Sequence, residues 1–192
     1  MEHPEEDRIQ LIKGDITTLD TDVIVNAANQ QLSGCFEEGC DCVDRAVHEK
    51  AGPALKEACE KQMRAIRQKV GETYVQPLGI PMMTDAFLLP AKKIVHVAGP
   101  AVNGEVSALQ TEQLAMCYKN TLLLCEKRGM KRIAFCCIST GKNRFPRRKA
   151  AETAVKTVKA YLAEHPAIEQ VVFAVFRDED YVLYRELLKK NP

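Results

Sequence analysis

The chain has 192 residues, 46% of them hydrophobic, which is enough to bury a full core, and we expect one domain over residues 1–192. Its 27 basic and 26 acidic residues nearly cancel, so the net charge of +1 excludes binding to nucleic acid or acidic membranes by bulk electrostatic attraction. No signal-peptide pattern opens the chain, and no apolar run approaches the roughly 20 residues that span a bilayer. We therefore expect a cytoplasmic, monomeric protein without a membrane role that recognises a small or specific ligand, with nucleic acid only a minor alternative.

Short apolar runs alternate with longer amphipathic runs along the chain, a pattern typical of strands and helices in turn. Helices between buried strands indicate right-handed crossovers and a largely parallel sheet, which binds ligands at the carboxyl ends of its strands. In chain order, the pattern predicts an edge strand at 8–13, a strand at 23–25, a helix at 42–66 with a break at Gly52-Pro53, a strand at 93–97, a helix at 109–128, a strand at 132–138, a helix at 146–164, a strand at 170–176 and a helix at 178–190.

Polar loops follow the predicted strands. Ser139-Thr140-Gly141, before a helix that opens with proline, offers hydroxyls and backbone N–H groups that suit a phosphate or diphosphate. An ordinary strand-to-helix turn needs the same small polar residues, and the chain has neither a Walker A loop nor a glycine-rich dinucleotide fingerprint. After the first strand, Asp15 either caps a turn or accepts a hydrogen bond from an exocyclic amine such as that of adenine. The sequence alone does not decide between the two interpretations of either loop.

Cys35, Cys40 and Cys42 lie within eight residues, and we call them the cysteine cluster. In the reducing compartment expected here, cysteines act as small buried hydrophobes, metal ligands or reactive thiols rather than as disulfides. The cluster offers three thiolates to Zn²⁺, and three protein ligands plus water or substrate is the catalytic arrangement of zinc. An incidental grouping of cysteines is the alternative.

The other chemistry-bearing residues are expected to be structural. His48 lies too far along its predicted helix to complete a zinc site, and we interpret both His48 and His96 as core or boundary histidines. The five remaining cysteines lie on apolar runs and are expected in the core: Cys59, Cys117, Cys125, Cys136 and Cys137.

Several separated motifs resemble those of the macrodomain family, in the family's order and spacing, from about Ile9 to Leu188. They are the segments 14–17, 22–29, 43–48 with 51–52, and 138–141 with 145–146. Where most macrodomains carry a glycine run, this chain has the segment 34–42 with the cysteine cluster. That segment resembles the zinc-containing branch, whose members remove ADP-ribose from modified proteins. Cys40 stands where that branch has a histidine.

The resemblance implies a three-layer α/β/α sandwich around a mixed, largely parallel sheet, with ADP-ribose as the ligand. It implies that Asp15 binds the adenine amine, that Ile16 contributes its backbone, and that Phe176 stacks near the adenine. It places Asn29 and Asp44 at the distal ribose as the catalytic residues. The residues that it assigns to the diphosphate are Ser139, Thr140, Gly141, Lys142, Asn143, Arg144 and Phe145.

The resemblance leads us to expect a zinc-dependent hydrolase that removes mono-ADP-ribose from protein side chains. In it, the cysteine cluster holds Zn²⁺ as the cofactor, and the charge of Asp44 stabilises an oxocarbenium-like transition state. Lys142, Asn143 and Arg144 replace the small apolar and aromatic residues that the family tends to have, and Cys40 replaces a histidine. These departures keep a second hypothesis open, a module that binds ADP-ribose without cleaving it. A third treats the cluster as a structural zinc clamp for the loop between Asn29 and Asp44.

Overall fold

The computed structural model describes residues 7–189, and six strands in this range form one sheet. Among the described residues, no helix has the length and apolar character needed to cross a membrane. The strands are β1 (Ile9–Lys13), β2 (Val23–Ala27), β3 (Met82–Asp85), β4 (Lys93–Val97), β5 (Arg132–Phe135) and β6 (Gln170–Val175). The α-helices are α1 (Val43–Ala51), α2 (Pro53–Val70), α3 (Ala108–Lys127), α4 (Arg147–Glu164) and α5 (Asp178–Lys189), and a 3-10 turn covers Ile16–Thr18.

The sheet is mixed but largely parallel, in the strand order β1-β6-β5-β2-β4-β3. Every neighbouring pair runs parallel except β3 and β4, which are antiparallel. With helices packed on it, the sheet forms the three-layer α/β/α sandwich that the resemblance implied. Because parallel strands end at the same edge of a sheet, the loops after β1, β2, β4, β5 and β6 meet at one side of the molecule.

The predicted elements are confirmed except at three places. The strand predicted at 132–138 ends at Phe135, because the chain turns out of the sheet towards Ser139, whose left-handed φ of 66° cannot continue a strand. The edge strand β3 was not predicted, since four residues give too short an alternation to recognise. The helix predicted at 42–66 does break at Gly52, with a φ of 84°, but continues to Val70. The predicted end of the last helix, residue 190, lies outside the described residues.

A row of four aromatic rings supports the face of the sheet beneath β5 and β6. Phe135 and Phe173 are register partners on these strands, with ring centroids 6.5 Å apart. Tyr118 of α3 packs on Phe135 at 5.0 Å, and Tyr184 of α5 packs on Phe173 at 4.9 Å. Each such pair contributes about 0.5 to 1.5 kcal/mol beyond the burial of its area. The row therefore fixes two neighbouring strands, and the loops that leave them, to two helices.

Asp22, directly before β2, ties the starts of two strands together. Its carboxylate accepts hydrogen bonds from the backbone amides of Lys131 at 2.9 Å and Arg132 at 3.0 Å, and from the ammonium of Lys92 at 2.7 Å. Burial works to raise the pKa of this carboxyl, but the hydrogen bonds from Lys92 and the two amides outweigh it and lower the pKa to about 2. The ionised form of Asp22 is thus favoured by the folded chain.

Gly99, two residues after β4, allows the loop that follows β4 to touch the loop that follows β5. A Cβ atom at Gly99 would lie 2.2 Å from the hydroxyl oxygen of Ser139 and 2.8 Å from a methyl group of Ile138. The hydroxyl of Ser139 is buried and has no hydrogen-bond partner within residues 7–189. Glycine is therefore required for this close approach.

We predict that Asp22→Asn lowers the free energy of unfolding by about 1 to 2 kcal/mol at neutral pH. This is less than the full pKa shift implies, because the Lys92 side chain is 63% exposed and water screens its charge. The carboxylate, whose pKa falls from 3.8 to about 2 on folding, stabilises the fold above pH 3.8. That contribution disappears as the pH falls from about 4 to about 2. Urea denaturation at several pH values measures the difference. Asp20→Asn, an exposed neighbour, is the control, and an equal loss in both variants would contradict the prediction.

We predict that Gly99→Ala lowers the free energy of unfolding by about 1 to 3 kcal/mol, because the added methyl group displaces Ser139 and Ile138. Gly141→Ala is the matched control, since a Cβ at Gly141 meets no atom within 4 Å. Thermal denaturation of both variants checks the difference. A Gly99→Ala protein as stable as Gly141→Ala would show that the two loops separate without cost.

Candidate functional site

A cleft of about 790 Å³ opens at the carboxyl edge of the sheet. Its walls are the loops that follow β1, β2, β4, β5 and β6, as the parallel topology predicts. Small-molecule sites have volumes of about 300 to 1,000 Å³, so the cleft is of ordinary size for such a ligand. It brings together most of the residues predicted from the sequence: Asp15, Ile16, Asn29, Cys35, Cys40, Cys42, Asp44, Ser139, Thr140, Gly141, Lys142, Asn143 and Phe176.

Two predicted ligand-binding residues, Arg144 and Phe145, do not line the cleft. The Phe145 side chain is only 2% exposed and packs in the core, while its amide donates to the carbonyl of Ser139 at 2.9 Å. The Arg144 amide donates to the carbonyl of Gly141 at 2.9 Å, which closes a turn. This turn and the apolar ring of Phe145 end the cleft-facing part of the loop at Asn143, so both side chains lie outside the cleft and the assignment of Arg144 and Phe145 to the ligand stays a prediction.

Asp44 presents a buried carboxylate at the floor of the cleft, in the first turn of α1. It is 5% exposed, and its Oδ1 atom accepts a hydrogen bond of 2.7 Å from Nδ2 of Asn26. Nε2 of His48, one turn along α1, lies 3.6 Å from the same oxygen. Burial raises the pKa of Asp44, and the Asn26 bond and the charge of His48 oppose that rise. The carboxylate therefore has a fixed position and little water around it.

A chain of hydrogen bonds behind Asp44 fixes the amide of Asn26. Nδ2 of Asn26 also lies 3.2 Å from Nδ1 of His96, and Nε2 of His96 lies 2.9 Å from the hydroxyl oxygen of Thr84. Because Asn26 donates, Nδ1 of His96 accepts, and Nε2 therefore carries the proton and donates to Thr84. Burial lowers the pKa of His96 to about 3, so the ring is neutral. His96 is a core histidine, as expected, but sequence alone did not link it to Asp44.

His48 departs in one respect from the core histidine that the sequence indicated. It is buried, and burial lowers its pKa while the charge of Asp44 works against that change. Its Nδ1 atom has no hydrogen-bond partner within residues 7–189. A ring nitrogen of His48, the Cys59 sulfur and a ring nitrogen of His96 lie within 4.8 Å of one another. Both ring nitrogens of His96 already make hydrogen bonds, so we do not assign a metal site to this group.

The Asn29 side chain lines the cleft but is largely occupied in shaping its own loop. Its Nδ2 atom donates to the carbonyl of Gly34 at 3.1 Å, and its Oδ1 atom accepts from the amide of Ser33 at 3.3 Å. The Leu32 amide donates to the Asn29 carbonyl at 3.0 Å. These bonds hold the start of the loop that carries the cysteine cluster.

The three sulfurs of the cysteine cluster lie close enough together to share one metal ion. The sulfur atoms of Cys35 and Cys40 are 3.2 Å apart, and all three sulfurs lie within 4.8 Å of one another. With Zn–S bonds of about 2.3 Å, a tetrahedral site places its sulfurs about 3.8 Å apart, so a shift of about half an ångström would bring Cys35 and Cys40 to that distance. Burial, with the neighbouring Cys40 and Cys35 sulfurs, raises the pKa of Cys42 to about 12. The donor set fits zinc with a fourth position left for water or substrate.

The cysteines expected in the core are found there, with one exception. Cys59, Cys117, Cys125 and Cys136 are buried, and burial raises the pKa of each to about 12. Cys137 is only partly buried and lines the cleft, because it follows the end of β5 and belongs to the loop rather than the strand.

An ion pair joins the two loops that border the cleft. The ammonium of Lys142, in the loop after β5, pairs with the carboxylate of Glu37, in the loop that carries the cysteine cluster. The same ammonium lies 3.4 Å from the sulfur of Cys35. The Glu37 hydrogen bond raises the pKa of Lys142, so its charge is firmly held. This pair links loops that are about 100 residues apart in the sequence.

At the other end of the cleft, Asp15 caps the 3-10 turn, which confirms one of its two interpretations. Its Oδ1 atom accepts from the amide of Thr17 at 2.9 Å, and its Oδ2 atom pairs with the ammonium of Lys50. Burial works to raise the pKa of Asp15, but Lys50 and Thr17 outweigh it and lower the pKa. Nearby, Ile16 is buried and Phe176, just after β6, is 68% exposed. An exposed aromatic ring beside a carboxylate suits a planar, amine-bearing group.

One partly buried ion pair in the cleft was missed in the sequence. Nη1 of Arg147 lies 2.8 and 2.7 Å from the two carboxylate oxygens of Asp180, and both residues line the cleft. Arg147 is the first residue of α4, where the helix dipole disfavours a positive charge. An arginine at the start of a predicted helix could therefore have indicated that an acidic partner lies nearby.

Comparison with known proteins agrees with this architecture. Residues 25–154 match the model of the Macro domain family. A protein-ADP-ribose hydrolase of Staphylococcus aureus (strain MRSA252) is 41% identical over 186 residues, which are 96% of this chain and 68% of that protein. An O-acetyl-ADP-ribose deacetylase of Klebsiella pneumoniae (strain 342) is 42% identical over 183 residues, covering 95% of this chain and 97% of that protein.

Two solved structures are similar over most of the fold. An Oceanobacillus iheyensis macrodomain with ADP has a TM-score of 0.83 and 37% identity, covering 94% of this chain and 90% of the other. A Trypanosoma brucei macrodomain in complex with ADP-ribose has a TM-score of 0.78 and 31% identity, covering 94% of this chain and 69% of the other. The family match spans more than half of the chain, and relatives exceed 40% identity across nearly all of it. The chain belongs to the macrodomain family.

Proposed function

We propose that this chain is a hydrolase that removes mono-ADP-ribose from modified protein side chains and that it uses zinc held by the cysteine cluster. The observation that carries the proposal is the buried Asp44 carboxylate on the floor of a cleft whose wall contains three sulfurs at zinc-binding separations. The Staphylococcus aureus relative named protein-ADP-ribose hydrolase supports the activity. The zinc part rests on the donor set alone.

The loop after β5 supplies the groups that a diphosphate needs. Among the described residues, the amides at positions 140–143 donate to no backbone carbonyl, and the buried hydroxyl of Ser139 has no partner. Unpaired donors before the first turn of α4 favour an anion, and the Lys142 ammonium adds a positive charge. We place the diphosphate here, the adenine between Asp15, Ile16 and Phe176, and the distal ribose near Asn29 and Asp44.

The reaction breaks the bond between C1″ of the distal ribose and the protein side chain, and water adds to C1″. Positive charge develops on the ribose as this bond breaks. The buried Asp44 carboxylate stabilises that charge more strongly than a solvated one, because little water screens it. Asn26 fixes Oδ1 of the carboxylate, and the Asn29 loop orients the ribose. Zinc on Cys35, Cys40 and Cys42 would supply Lewis-acid polarisation of a ribose hydroxyl or of water.

A neighbouring ammonium group partly offsets the negative charge of the three thiolates. Three thiolates with one Zn²⁺ carry a formal charge of −1, which makes the metal a weaker Lewis acid than in a site that contains histidine. The Lys142 ammonium lies 3.4 Å from the Cys35 sulfur and offsets part of this charge. Lys142 therefore has two roles in the proposal, one beside the diphosphate and one beside the metal.

Binding of ADP-ribose without turnover is the second candidate. Its support is the loop after β5, where Asn143 is fixed to the carbonyl of Gly99 at 2.9 Å and Lys142 is engaged with Glu37. At these positions the chain has no aromatic residue that would cover the ribose. The Klebsiella pneumoniae relative named O-acetyl-ADP-ribose deacetylase adds an ester of ADP-ribose as a second substrate class to test.

We predict that Asp44→Asn lowers kcat for release of ADP-ribose from a mono-ADP-ribosylated protein by about 100-fold or more, because it removes the buried charge but keeps the shape of the side chain. The dissociation constant for free ADP-ribose, measured by calorimetry, should change by no more than about threefold, since that ligand forms no oxocarbenium ion. Glu38→Gln, an exposed acid in the same segment that does not line the cleft, is the control. Unchanged turnover in Asp44→Asn would contradict the assigned role.

We predict one zinc ion per purified chain, measured by elemental analysis, and its loss in Cys42→Ser. Cys137→Ser, which changes a cleft cysteine outside the cluster, should keep the metal. A chelator that removes zinc should lower hydrolysis of both the modified protein and O-acetyl-ADP-ribose, and added zinc should restore it. Turnover that is unaffected by metal removal would overturn the zinc requirement. Tight binding of ADP-ribose with no release from either substrate, with or without metal, would favour the binding module.

A further inference from the structure

We propose that Cys35 and Cys40 form a dithiol that peroxide oxidises to an intramolecular disulfide, a covalent modification site in the wall of the cleft. The proposal concerns the two sulfur atoms and the loop that carries them. It goes beyond the proposed hydrolase and does not depend on it, because the modification is detected by mass and not by turnover.

The two sulfur atoms lie close to the distance of a disulfide bond. They are 3.2 Å apart, and a disulfide has an S–S length of about 2.05 Å. The movement required is thus little more than 1 Å. The segment 35–40 lies between helices and strands and contains a single turn, in which the amide of Cys40 donates to the carbonyl of Glu37 at 3.1 Å. A Cβ placed at Gly39 would meet no atom within 4 Å, so the segment has room to adjust.

Accessibility separates this pair from the four buried cysteines, and the sulfur–sulfur distance of 3.2 Å distinguishes it from Cys42 and Cys137, which are partly exposed as well. Cys35 and Cys40 are partly exposed and line the cleft, so a small oxidant reaches both. Cys42 is partly exposed as well, but it immediately precedes α1 and its position is set by the helix. Of the remaining five, four are buried: Cys59, Cys117, Cys125 and Cys136. This partly exposed pair, whose sulfur atoms are already in contact, is therefore the preferred site of reaction.

The reaction is balanced with hydrogen peroxide as the oxidant. One thiol attacks peroxide, forming a sulfenic acid and releasing water. The second thiol then attacks the sulfenic sulfur, forming the S–S bond and releasing a second water. Two thiols and one peroxide thus give one disulfide and two waters. Because the second sulfur is already 3.2 Å away, it captures the sulfenic acid before a further peroxide carries it to the irreversible sulfinic acid.

The disulfide has a direct consequence for metal binding by the cluster. A disulfide sulfur carries no thiolate charge, so oxidation removes two of the three proposed zinc ligands at once. Cys42 alone cannot retain the ion. Oxidation also removes the thiol of Cys35 from beside Lys142, which leaves Glu37 as the partner of that ammonium. A thiol reductant restores the dithiol, so the modification is reversible.

The test treats the full-length protein with hydrogen peroxide, both as purified and after removal of metal by a chelator, and then alkylates free thiols before mass spectrometry. Protease cleavage sites lie between the three cysteines, so the two cysteines that form a disulfide can be identified by the masses of their peptides. Cleavage after Glu37 or Glu38 separates Cys35 from Cys40, and cleavage before Asp41 separates Cys40 from Cys42. We expect a linked pair of peptides that contain Cys35 and Cys40, with the loss of two hydrogen atoms, while Cys42 stays alkylated. Dithiothreitol should separate the pair.

Two variants provide the controls. Cys42→Ser should still form the link, because Cys42 takes no part in it. Cys40→Ser should not, and Cys35 should then accumulate as a sulfenic acid that a dimedone probe captures. Both variants should be folded by circular dichroism, since the segment lies outside the helices and strands. If zinc is present, its release should follow the fraction of linked peptide.

Three results would overturn the proposal: alkylation of both cysteines after peroxide treatment, oxidation of Cys35 to sulfinic acid without a link, or a link that involves Cys42 in place of Cys40. These outcomes differ from a failure of the proposed function. A chain that forms the Cys35–Cys40 link but releases no ADP-ribose keeps this inference and loses the hydrolase. A chain that hydrolyses its substrate without forming the link does the opposite.

Discussion

The hydrogen bond from Asn26 to Asp44 connects the floor of the cleft to the interior of the sheet, and the site depends on it. Asn26 lies on β2 opposite His96 on β4, so its amide position follows from strand register and not from the cleft. Asp44 comes from a different element, the first turn of α1. A buried carboxylate without a donor would shift towards its neutral form. The parallel pairing of β2 with β4 therefore positions the donor that opposes the rise in the pKa of Asp44 caused by burial.

Much of the fold could be predicted from the sequence because its longer elements carry their own periodicity. The alternation of buried strands and amphipathic helices predicted the parallel sheet and the edge at which the cleft lies. The edge strand β3 was missed because four residues on an edge carry little pattern. Phe145 was assigned to the ligand because the sequence shows that it belongs to the loop, but not that its ring packs in the core.

The candidate site was predictable where one segment carries all of its residues and not where distant segments meet. The cysteine cluster and the loop at 139–143 are each continuous in the sequence. By contrast, the contacts of Asn26 with His96, of Lys142 with Glu37 and of Arg147 with Asp180 require the sheet register and the packing of helices. The hydrogen-bonded chain behind Asp44 and the ion pair across the cleft therefore became visible only in the structure. These are also the contacts that set the charges of the site.

The row of aromatic rings under β5 and β6 supports only one part of the cleft wall. Tyr118, Phe135, Phe173 and Tyr184 lock together the strands from which the proposed diphosphate loop and Phe176 emerge. The segment with Cys35 and Cys40 is held instead by polar contacts from Asn29, Arg45 and Lys142. The cleft therefore has one end held by aromatic packing and another end held by hydrogen bonds and an ion pair. In the proposed function, the packed end would hold the adenine and the diphosphate, and the polar end would face the group attached to the distal ribose.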